Sequence, residues 1–102
     1  MTNPLLSILK EKEVPDLYTQ EGRADPTIYL EISTLGSCWR WFVAEARIEE
    51  DDVLFFGYVA GHDTEFGYFR FSEMKNARIP LIVDYGFEVR PLSAVKRDYE
   101  LE

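Results

Sequence analysis

The sequence predicts a single α+β domain over residues 1–102: an antiparallel sheet of four to five strands, an N-terminal helix, and a short helix after a central hairpin. Three observations carry that reading. The apolar spacing is helical over residues 4–12 and switches to alternation at Thr27. Two copies of Phe-Gly-Tyr, at 56–58 and 66–68, flank a turn. A chain of 102 residues with 46% hydrophobic side chains can fill one domain's interior.

In PLLSILKEK (4–12), Leu5, Leu6, Ile8 and Leu9 make a broad helical stripe. Asn3 stands where an N-cap belongs, and Pro4 lies in the first turn, where its missing N–H does no harm. Val14-Pro15 ends the helix, because the residue before proline is pushed out of the α region. Residues 15–26 then form a turn-rich connector, with Leu17 and Tyr18 anchored to the core. In TIYLEIS (27–33), Ile28, Leu30 and Ile32 share one face. In SCWRWFVAEARI (37–48), Trp39, Trp41, Val43 and Glu45 alternate with Arg40, Phe42, Ala44 and Ala46. An acidic turn, 49–52, leads into DVLFFGYVAGHDTEFGYFRF (52–71), which supplies two more strands. Ser72 caps a short helix, SEMKNA (72–77). From Pro80 the β-branched run reads as a strand or extended arm, with a polar tail from Lys96.

A two- or four-residue turn centred between His62 and Asp63 sets Gly57 opposite Tyr68 and Gly67 opposite Tyr58. Each tyrosine ring then covers the other copy's glycine. Such a hairpin is apolar on both faces. One face packs on the N-terminal helix; the other needs a cover from the C-terminal arm or from a partner chain, a second copy of this one included.

Charge narrows the function classes. Nineteen acidic against eleven basic residues give a net charge of -8, and the basic residues are scattered, so a phosphate backbone is not the expected partner. An acidic surface favours a basic protein instead. GYFRF (67–71) departs from an RNA-recognition strand, because Glu65-Phe66 replaces the basic lead and the flanks are acidic. No phosphate-binding glycine loop or nucleophile elbow is present, so no catalytic residue, metal site or cofactor is assigned. The enzyme alternative is a small hydrolase or ligand-binding enzyme using His62 with Asp63 and Glu65. Cys38, the single cysteine, reads as a buried thiol in a strand, and its lack of a partner points to the cytoplasm. The apolar runs are too short for a membrane span.

Two groups remain as candidate partner-binding residues. Glu45, Glu49, Glu50, Asp51 and Asp52 form the densest acidic cluster, either a solvated turn or an imitation of phosphates that occupies a basic groove. Trp39 and Trp41 are either core or interface anchors.

The order of several segments resembles the family called domain of unknown function 2958, small proteins of plasmids, phages and other mobile elements. The segments are VPDLY (14–18), Asp25-Pro26, WRWFVAE (39–45), DVLFFGYVAG (52–61), EFGYFRFSEM (65–74) and IPLIVDYGFEVRPLSAV (79–95). The resemblance brings no catalytic residues. It implies a mobile-element setting, where small acidic proteins modulate host defence or plasmid maintenance. Together with the acidic surface this leads to a non-enzymatic protein-interaction module, in its specific version an inhibitor of a host defence or nucleic-acid-binding protein of CRISPR or restriction type.

Overall fold

The computed structural model describes residues 4–36, 38–76 and 80–101. The first helix, α1 (Pro4–Glu11), is closed by a left-handed residue, Glu13 (φ 54°). The Val14 N–H donates to the Leu9 carbonyl at 3.1 Å and the Glu13 N–H to that of Lys10, satisfying carbonyls that the helix end would orphan. Among the described residues there follow, in order, β1 (Thr27–Ile28), β2 (Leu30–Thr34), β3 (Arg40–Ile48), β4 (Val53–Ala60), β5 (Thr64–Arg70), α2 (Phe71–Asn76), β6 (Leu81–Asp84), β7 (Arg90–Pro91) and α3 (Leu92–Tyr99). The main sheet is antiparallel in the order β5-β4-β3-β2-β6, and β1 pairs with β7 as a small separate ribbon.

The sheet is a middle layer between two cores. On one face, Leu30, Ile32, Val43, Phe55 and Phe69 pack against Leu5, Ile8 and Leu9 of α1 and Met74 of α2. On the other, Phe42, Ala44 and Tyr58 pack against Ile28, Phe87, and Leu92 and Val95 of α3. Burying a ring such as Phe42 or Phe55 completely contributes about 1.5–3 kcal/mol, which is why the central strands carry the largest side chains.

Several expectations change. The run 27–33 is not one strand. It breaks at Tyr29, so Ile28 enters the second core while Leu30 and Ile32 stay in the first. Beyond β6, which pairs antiparallel with β2, the chain forms α3 instead of a polar tail. Pro91, the residue at its N-cap, supplies no side-chain cap; Asp25 does so from a distant loop, accepting from the Ser93 N–H at 2.8 Å and its hydroxyl at 2.7 Å. Helix α2 begins at Phe71, so Ser72 lies inside it and donates its N–H and hydroxyl to Asp52 at 3.0 and 2.6 Å. Cys38 is exposed and precedes β3. The Asn3 cap, the Ser37 start of the third strand and the Ala77 end of the second helix lie outside the described residues.

The hairpin register also differs by one residue. Ala60 pairs with Thr64, leaving a three-residue loop of Gly61, His62 and Asp63 held by a Gly61 N–H to Asp63 carbonyl bond of 3.0 Å. An odd loop shifts the pairing by one, so Gly57 faces Gly67, Phe56 faces Tyr68 and Tyr58 faces Phe66. The reciprocal glycine–tyrosine pairing is therefore absent. The four aromatics line one face of the hairpin, and the two glycines lie side by side on the other.

Candidate functional site: an aromatic cleft over a buried carboxylate

A bulge in β3 builds the site. Between Val43 and Glu45 the register with β4 slips, so Ala44 and Glu45 both turn toward the second face. Glu45 thus leaves the side of Trp41 and Val43 that strict alternation gave it. The residue is only 2% exposed, and its carboxylate accepts the Tyr18 N–H at 2.9 Å and the Gln20 N–H at 2.6 Å. Gln20 completes the join: its amide donates to the carbonyls of Thr27 and Ala44 at 2.9 and 3.0 Å and accepts the Thr27 N–H at 2.7 Å. A buried carboxylate and a buried amide, both fully engaged, fix the connector 16–23 on the sheet.

That fixation has a backbone cost. Tyr18 stands at φ 71°, a conformation that a bulky L-residue rarely adopts. Leu17 is buried as expected, but Tyr18 is 55% exposed and tilts against Tyr68 with ring centroids 6.5 Å apart. The strained residue therefore presents its ring to solvent instead of anchoring the core.

Helix α3 covers the second face only as far as Tyr58, over which the Lys96 ammonium sits at 4.8 Å. Toward the outer edge the aromatics are uncovered. Phe66 is 44% exposed and Tyr68 53%, and they flank Phe56 at 5.9 and 4.9 Å between centroids. With Tyr18, Glu21 and Glu45 these rings line a cleft of about 250 Å³, which Arg23 also lines, donating to the Gln20 side-chain oxygen at 3.3 Å. The Tyr68 hydroxyl is held above its ordinary pKa, first by burial, then by Tyr18, Glu45 and Glu21.

The acidic candidates separate. Glu45 is inside the fold, Glu49 pairs with Arg70, and Asp52 anchors α2, while Glu50 and Asp51 face solvent. Trp41 is partly buried against the first core. Trp39, at its edge, rests on Gly61 and meets His62 edge-on at 5.8 Å. Asp63 and Glu65 are exposed, and among the described residues no group of three or more His, Cys, Asp or Glu is placed to hold a metal ion. Among the described residues, too, no helix is long and apolar enough to cross a membrane.

The residues that sequence reasoning missed are Tyr18, Gln20, Phe66 and Tyr68 as the walls and floor of one cleft. Their only sequence signals were the doubled motif and the apolar second face. No family model, curated protein or solved structure matches this chain.

Proposed function

We propose that this chain is a non-enzymatic protein-interaction module that binds a basic partner through the uncovered aromatic face of the β4–β5 hairpin. One observation supports the reading above the others: Phe66 and Tyr68, both exposed, stand beside the carboxylates of Glu21 and Glu45 on a chain of net charge -8. Large rings placed outside both cores contribute contact area at low entropic cost when a partner covers them. Glu50 and Asp51 add long-range attraction for a basic surface, and Trp39 offers a second anchor. The resemblance to the domain of unknown function 2958 adds a setting: an inhibitor carried by a mobile element and directed at a basic host defence or nucleic-acid-binding protein.

The test is affinity capture from host lysate at low and high salt, using the wild type, a Phe66→Ala/Tyr68→Ala variant and a Glu50→Lys/Asp51→Lys variant. The reading predicts a basic partner that is lost on the aromatic variant and weakened by both salt and charge reversal. Retention of the same partner by the aromatic variant contradicts it. The enzyme reading predicts instead an activity that His62→Ala removes while capture is unchanged.

A further inference from the structure

We propose that the cleft between Tyr18, Phe56, Phe66 and Tyr68 is a receptor for the guanidinium of an arginine side chain presented by the protein partner. The inference rests on the hairpin-face reading above and names the chemistry of that site.

Three independent features of the cleft converge on a cation. Its lining carries four aromatic rings, Tyr18, Phe56, Phe66 and Tyr68, and the face of such a ring has negative potential that attracts a guanidinium within about 6 Å of the ring centre. Its floor is the Glu45 carboxylate, nine-tenths buried and more, which meets two backbone N–H groups but, among the described residues, no basic side chain within ion-pair distance. Its lining includes a second carboxylate, Glu21, and one guanidinium, that of Arg23. The strained Tyr18 backbone is a further sign, because the fold holds this residue in an unfavourable conformation and gains an exposed ring by it.

The choice of arginine follows from the same walls. The Glu45 oxygens and the Gln20 amide already hold backbone partners, so the cleft offers flat rings more than free acceptors. A planar, weakly hydrated guanidinium stacks on rings without losing a tight hydration shell, whereas an ammonium gives up much more. The protein already uses this pairing beside the cleft, where the Arg47 guanidinium lies 5.9 Å from the centre of the Tyr18 ring. Charge complementarity makes a basic partner, not a second copy of this acidic chain, the occupant.

The experiment is a titration of ¹⁵N-labelled protein with four probes: a capped Gly-Arg-Gly peptide, the same peptide with neutral citrulline, the same with lysine, and free L-arginine. The proposal predicts saturating shifts at the Tyr18, Gln20 and Tyr68 amides with the arginine peptide. It predicts at least about tenfold weaker binding of citrulline, the loss expected when a cation–π contact becomes a neutral one. A Phe66→Leu/Tyr68→Leu variant, shown to be folded by its amide spectrum, keeps an apolar surface and should lose the preference for arginine over citrulline. Equal binding of arginine and citrulline, equal binding of lysine, or free L-arginine matching the peptide would overturn the assignment. None of these would touch the hairpin-face reading, which stands or falls on the capture experiment alone.

Discussion

Gly57 and Gly67 lie directly opposite each other across β4 and β5, yet only Gly57 is held to glycine by its surroundings. A Cβ on Gly57 would come within 2.0 Å of the Phe42 carbonyl oxygen, where the bulged strand passes close, whereas a Cβ on Gly67 would meet nothing within 4 Å. The two copies of the motif are therefore alike in sequence and unlike in role.

Gly57→Ala should destabilise the protein by at least about 1–3 kcal/mol, because a backbone atom cannot move aside as a flexible side chain can. Gly67→Ala should be neutral or stabilising by up to about 1 kcal/mol, since glycine is a poor strand residue. Urea denaturation of the two variants checks the asymmetry; equal losses would refute it.

Glu45→Gln should cost about 1–3 kcal/mol, because the Tyr18 and Gln20 N–H groups need two acceptors and an amide presents one. Hydrogen exchange should show these two amides losing protection before the β4 amides do. Unchanged protection would mean that the connector is held by other contacts.

Acid should loosen the two side-chain anchors of the helices. Asp25 is held below the usual carboxylate range chiefly by the Ser93 hydroxyl, then by the Ser93 N–H, and Asp52 chiefly by the Ser72 hydroxyl. Folding thus favours the ionised form of each. Their contribution is intact above the ordinary carboxyl value of about 4 and is lost as pH falls through the lower folded value. Thermal melts from pH 7 to pH 3 should show a decline at the acid end that is shallower in Asp25→Asn/Asp52→Asn, which should also be less stable at neutral pH. Parallel curves for variant and wild type would contradict this.

How much of this could be read from the sequence depended on whether the determining contact was local. Helix α1 was legible because its stripe, its proline and its stop all lie between residues 4 and 15, and the alternation of β4 and β5 was legible for the same reason. Helix α3 was not, since Asp25, its side-chain cap, lies 68 residues from Ser93. The bulge at Ala44 was equally hidden: no residue type announces it, and it reverses the facing of Glu45. The cleft inherits both difficulties, because it needs the bulge, the three-residue hairpin loop and a left-handed Tyr18 together.

The central claim is that Phe66 and Tyr68 serve binding more than folding, and the most direct measurement compares Phe66→Ala/Tyr68→Ala with Phe42→Ala for both stability and partner capture. Phe42 is fully buried, and its truncation should cost about 3–5 kcal/mol. The hairpin pair should cost no more than about 2 kcal/mol together, the worth of their cross-strand contacts, while capture of the basic partner is abolished. A hairpin variant that is destabilised as much as Phe42→Ala, or that still captures the partner, would contradict the account.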